Sequence, residues 1–140
     1  MSDPDGPTLK KFSAADGLPS FIERIDDFPH LKIVYLKGTL DNAASVEMDR
    51  FFQKARTSPA GLDKNIILDF RKVPHVESGA IAQLIKAMTV LKKKGHHFGL
   101  LNVSDKMRDT LEILKLDRTF RIFNSKSETL KEVMKWSEEW

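Results

Sequence analysis

This sequence predicts a single α/β domain: a mixed, mostly parallel sheet of four to five strands carrying about four helices. Three observations carry that reading. Short runs rich in β-branched and aromatic residues alternate with segments whose apolar residues recur every three or four positions, the order that builds helical crossovers on a parallel sheet. One run, residues 65–70 (NIILDF), is apolar without strict alternation and suits a strand covered on both faces. Two β-rich runs near the start are separated by turn-forming residues and suggest a hairpin at one side of the sheet. A length of 140 residues fits one such domain.

Residues 1–20 lack clear periodicity and are broken by Pro4, Gly6, Pro7, Gly17 and Pro19. They read as a flexible N-terminal arm whose later part lies on the domain, leaving 21–140 as the domain itself. A first strand is expected at 21–25 (FIERI), a turn at 26–30, and a second strand at 31–37 (LKIVYLK) that Gly38 ends. Ala44, Met48, Phe51, Phe52 and Ala55 fall on one face of a helix, with Asp41 or Asn42 as its N-cap. Residues 58–61 (SPAG) close that segment. After the buried strand at 65–70, Ile81, Leu84, Ile85, Met88 and Leu91 trace a helical stripe over about 79–94. Lys92, Lys93, Lys94 and then Gly95 supply a C-terminal signal. A strand at 96–103, a helix capped by Ser104 with Met107, Leu111 and Leu114 inward, and a short strand at 118–123 follow. Ser125 or Ser127 caps a last helix through Leu130, Val133, Met134 and Trp136. Trp140 lies past its end and marks a frayed terminus.

Composition narrows the function classes. Hydrophobic residues make up 41% and charged residues 31%, ordinary for a globular protein. The net charge of +3 comes from 23 basic and 20 acidic side chains and gives no clustered basic face, so nucleic acid is not an expected partner. The chain has no cysteine, which excludes disulfides and thiolate metal sites. His96 and His97 are neighbours on a strand and point to opposite faces, so with His75 they make a poor metal site. No Gly-rich phosphate loop and no oriented nucleophile–base couple is present, so neither a cofactor, a metal nor an enzymatic role is expected. There is no apolar run of membrane-spanning length and no secretory signal pattern, which points to the cytoplasm.

The informative stretch is 66–84 (IILDFRKVPHVESGAIAQL), where a buried strand gives way through a loop to a helix opened by Ser78 and Gly79. On local chemistry alone, Ser78 is a cap and Gly79 permits close packing. Gly38-Thr39-Leu40-Asp41 resembles the G-x-L-D signature of STAS domains, the fold of bacterial anti-sigma factor antagonists. The segments 67–70, 76–81, 101–104 and 114–123 resemble, in order and spacing, the family's later motifs. The resemblance implies a protein-binding regulator that docks an anti-sigma factor of the serine-kinase type, with Asp41, Glu77, Ser78 and Gly79 on the partner-binding face. The family's switch is phosphorylation of the second serine in D-S-S-G. Aligned without a gap, Glu77 takes the aspartate's place, Ser78 the first serine's and Gly79 the acceptor's. Glycine cannot carry a phosphate. The switch is therefore absent, or taken over by Ser78 one residue earlier, or the module is regulated in another way. A non-switching scaffold subunit of a signalling or lipid-transport assembly is the alternative on the same fold.

Overall fold

Six strands hydrogen-bond side by side in the order in which they occur in the chain. They are β1 (Lys10–Ser13), β2 (Ile22–Phe28), β3 (Leu31–Lys37), β4 (Asn65–Lys72), β5 (Phe98–Leu101) and β6 (Arg121–Phe123). β1, β2 and β3 pair antiparallel, and β3 through β6 pair parallel. Among the described residues, four α-helices run between and after the parallel strands, α1 (Asn42–Gln53), α2 (Ser78–Lys93), α3 (Asp105–Ile113) and α4 (Lys126–Glu138). The computed structural model describes residues 9–53 and 64–138, with side chains described as far as Lys135. The segment at 58–61, Ala55, Trp140 and the side chain of Trp136 therefore lie outside the described residues.

The topology explains the layering. All the parallel crossovers step toward β6, so the right-handed connection that such crossovers take as a rule puts α1, α2 and α3 on the same face. Met48, Leu84, Met107 and Leu111 from those helices share one buried cluster with Val34, Ile66, Leu68 and Leu100 of the sheet. Only α4, arriving after the last strand, can cover the opposite face. There Val133 packs on a second cluster of Leu31, Ile67, Leu101 and Phe123. β4 sits between two strands and under helices on both sides, and its first six residues are buried. The non-alternating apolar run at 65–70 is the signature of that double cover.

The structure differs from the sequence expectation in several places. The sheet has six strands because Lys10–Ser13, within the expected arm, pairs with β2 from Lys10↔Asp27 to Ser13↔Arg24. The first hairpin strand runs on through Asp26 and Asp27, so the expected turn at 26–30 shrinks to Pro29 and His30. Leu114 is the C-cap residue of α3 and is exposed rather than inward with Met107 and Leu111. On α4, Thr129 and Val133 face the sheet, while Leu130 and Met134 are 54% and 67% exposed. Of the residues the sequence places along this helix, Val133 packs on the sheet, whereas Leu130 and Met134 keep most of their surface exposed.

One row of side chains crosses the α4 face: Arg24, Tyr35, Asp69, Leu101 and Phe123 are successive register partners on β2 to β6. The Arg24 guanidinium lies 3.8 Å from the centre of the Tyr35 ring, a cation–π contact. Burial, followed by the nearby Asp26 carboxylate, pushes the Tyr35 phenol above its ordinary value, against the opposing pull of Arg24. Tyr35 is the chain's only tyrosine. Alkaline titration of phenolate absorbance is therefore expected to show one transition, displaced upward from the ordinary phenol value of 10.0. The folded state holds its phenolic proton longer than the unfolded chain, so this group's contribution is full below the unfolded value. Stability falls as the pH rises above it. A midpoint at or below the ordinary value would count against the burial of this phenol.

Candidate functional site

The candidate site forms where the chain leaves β3 and β4. These strands are parallel neighbours, so their exits lie at the same edge of the sheet, and backbone bonds extend the pairing into the loops. Gly38 N–H donates to Lys72 O, Leu40 N–H to His75 O and Glu77 N–H to Leu40 O, at 3.0, 3.0 and 2.8 Å. Leu40 and Val76 form an isolated parallel bridge. Leu40 is fully buried in the main core, which anchors this two-loop seam. The seam brings the N-termini of α1 and α2 together.

Both predicted acids act on α1. Asp41 precedes its first residue and accepts the Ala44 amide at 2.9 Å, the N-cap role expected for it. Glu77 belongs to the other loop, yet its carboxylate accepts the Asn42 amide at 3.1 Å. Two of the four amides that a helix start leaves unpaired are thus satisfied, one from within the loop and one from 35 residues away. Farther along the helices, Lys86 of α2 reaches Asp49 of α1 at 2.7 Å and holds that carboxyl below its ordinary value.

Ser78 is exposed, and it is the first helical residue of α2 rather than its cap. The cap position belongs to Glu77, whose backbone is extended (φ −86°, ψ 163°), and no side chain caps α2. The expected capping role of Ser78 is corrected accordingly. A residue already in helical conformation points its hydroxyl away from the amides that a cap would serve. Ser78 therefore presents a free hydroxyl at the positive end of a helix, flanked by the Glu77 carboxylate.

Gly79 lies under α1. A Cβ added there would stand 3.0 Å from both Asn42 Oδ1 and Ser45 Oγ. Ser45 is buried and its hydroxyl donates to Asn42 O at 2.7 Å, so it has limited freedom to withdraw. The position where the related motif carries its acceptor serine is thus crowded here by side chains of the helix opposite. Gly79→Ser is expected to cost about 1–2 kcal/mol through overpacking. Adding Ser45→Ala should recover part of that loss. Urea denaturation of the two variants is the check, and a Gly79→Ser chain as stable as the parent would show that α1 does not crowd the site.

Of the four residues that sequence reasoning placed on one face, all four do gather at this seam. Asn42, Ser45 and Val46 were missed. Asn42 and Ser45 are the contacts that shape Gly79, and Val46, one turn beyond Asn42 on α1, is 56% exposed. The exposed valine was legible as a break in the polar face of α1. The Asn42–Ser45 contact with Gly79 has no local signal in the sequence.

Fold and site together define an α/β domain in which three crossover helices crowd one face of a mixed sheet and a single terminal helix backs the other. The chain belongs to the STAS domain family, whose model matches residues 22–129, from the start of β2 into the first turn of α4. Among solved structures it is similar to a candidate anti-sigma factor antagonist from Thermotoga maritima, at 19% identity and a TM-score of 0.68, covering 79% of this chain and 92% of that one. It is also similar to the unphosphorylated form of the anti-sigma factor antagonist SpoIIAA, known from Bacillus, at 16% identity and a TM-score of 0.57, covering 93% and 98%. A sulfate transporter family protein from Wolinella succinogenes matches at 19% identity and a TM-score of 0.63, covering 77% and 88%. These likenesses show the fold. No curated protein matches the chain by sequence. Among the described residues no helix is long and apolar enough to cross a membrane.

Proposed function

We propose that the chain is a protein-binding regulator of the anti-sigma factor antagonist kind, acting in the cytoplasm and docking an anti-sigma factor or a serine kinase of that type. The observation that carries this reading is the seam itself: Asp41, Glu77 and Ser78 stand together at the paired starts of α1 and α2, with Val46 exposed beside them. Two acids at the helix starts, with one exposed valine a turn along α1, suit a basic partner surface that also offers an apolar contact. Ser78 is an exposed hydroxyl at this face that a kinase could reach. A phosphate there would add about −1.5 to −2 charges beside two carboxylates and reverse the complementarity that favours docking.

A second reading keeps the fold and drops the switch. The crowding of Gly79 by Asn42 and Ser45 favours a constitutive binding module, a scaffold subunit of a larger assembly. The two readings separate in one experiment. The parent chain and an Asp41→Lys/Ala43→Lys variant are used to capture partners from native lysate, and the captured proteins are identified by mass spectrometry. The parent is then incubated with the captured partner and ATP, and the Ser78 peptide is mass-mapped. An ATP-binding anti-sigma partner lost from the variant, with phosphate on Ser78, supports the switching regulator. The same partner with Ser78 unmodified supports the scaffold. Identical partners from both chains would remove this face from either role.

A further inference from the structure

The other face of the sheet carries a groove that the seam does not use. It lies between α4 and strands β2 to β5 and encloses about 370 Å³, within the roughly 300–1,000 Å³ typical of small-molecule sites. Its apolar lining comes from Leu31, Ile33 and Leu101 on the strands and Leu130 and Val133 on α4. Leu130 stays 54% exposed although it lines the groove, so the helix leaves apolar surface there uncovered.

The charges around it are unevenly matched. Arg24, Arg71, Lys72 and Lys126 line the groove against Glu23 and Asp69. Lys72 is paired with Glu23 at 2.7 Å, and Arg24 with Asp26 at 3.6 Å while it lies over Tyr35. Arg71 and Lys126 have no acidic partner among the described residues. The Asp69 carboxylate accepts the Arg71 amide at 2.8 Å and the Asn102 side-chain amide at 3.3 Å. Asn102 adopts φ 58°, a conformation that asparagine tolerates better than most residues, and in it presents that amide. Asp69 is thus satisfied from neutral donors, and neither free cation is drawn to it within ion-pair distance.

We propose that this groove binds an organic anion with a hydrocarbon body, such as a medium-chain carboxylate, its charged head between Arg71 and Lys126 and its chain along Leu31, Ile33, Leu101, Leu130 and Val133. Asp69 keeps the head at the mouth by like-charge repulsion and sets the direction of entry. An uncharged body of the same shape gains only the apolar burial. A cation meets the excess of Arg and Lys. Of the residues that build the seam at α1 and α2, only Lys72 also lines this groove.

The test is an NMR-monitored titration of the full chain with decanoate below its micelle concentration. Saturable amide shifts are expected at 69–72, 101–102 and 126–133. The Arg71→Gln/Lys126→Gln variant should bind about tenfold or more weakly, as should decanol with the parent chain. Both cations are exposed, so the double variant is expected to fold. Leu130→Glu, also at an exposed position, places a carboxylate in the wall and should abolish binding. Absence of saturable shifts, shifts centred on α1 and α2, or undiminished binding by the double variant would each overturn the proposal.

Discussion

Leu40→Ala is expected to lower the free energy of unfolding by about 3 kcal/mol, and to disturb the candidate site more than any other single core truncation. Leu40 is fully buried. It lies outside every strand, in the loop that carries Asp41, and packs into the core beneath α1 and α2. Truncation removes the transfer free energy of the side chain and leaves a cavity that only partial collapse can fill. The backbone of the same residue donates to His75 and accepts from Glu77. A loop freed to shift at Leu40 therefore loosens the grip of Glu77 on the Asn42 amide as well. Two measurements check this together. Urea denaturation gives the stability loss, and native-state hydrogen exchange should show the Leu40 and Glu77 amides opening with less free energy than those of β4. A loss below 1 kcal/mol, or exchange at the seam unchanged relative to β4, would separate the core anchor from the site.

The sequence carried most of the fold because its elements are defined by local periodicity. β4 is legible as six consecutive buried residues, and α2 as a stripe in which Ile81, Leu84, Met88 and Leu91 are all buried. The Ser104 cap is confirmed by the bond from the Met107 amide, and the Ser125 cap by that from Glu128. What escaped depends on partners distant in sequence. β1 (KKFS) has three exposed residues out of four, so no alternation announces it, and only its backbone pairing with β2 makes it a strand. On α4, local periodicity cannot decide which of two adjacent apolar stripes a single helix will bury. The sheet chose Thr129 and Val133, leaving Leu130 and Met134 out.

The site divides along the same line. Asp41 as a cap follows from its place ahead of an apolar-periodic segment. Glu77 reads as a residue beside α2, but its carboxylate serves α1. The closeness of Gly79 to Asn42 and Ser45 is a property of how two helices pack, which a motif aligned by spacing does not contain. The departure from the family's acceptor serine is visible in the sequence. The physical consequence, a position with little room for a side chain, is visible only in the fold.

Gly99→Ala is expected to destabilise the chain by about 2–3 kcal/mol, a larger penalty than one added methyl usually incurs in a strand. Gly99 sits on the α4 face of β5, in register with Arg121 of the edge strand β6. A Cβ there would lie 2.5 Å from Phe123 Cε2 and 3.2 Å from Cδ2, well inside van der Waals contact. Phe123 is fully buried and belongs to the small cluster on which Val133 of α4 packs. The ring cannot move aside without displacing the one helix that covers this face. Gly99 is thus the close-approach position that lets a large aromatic ring, rather than a gap, lie under α4. The two positions are expected to be coupled. Phe123→Leu alone should cost about 1–2 kcal/mol for lost volume, but combined with Gly99→Ala it should cost less than the sum, because the smaller side chain makes room for the methyl. A double-mutant cycle by denaturation measures the coupling directly. Strict additivity would mean that the strand, not the ring, yields to the added methyl, and that α4 keeps its seat on the sheet through some contact other than Phe123.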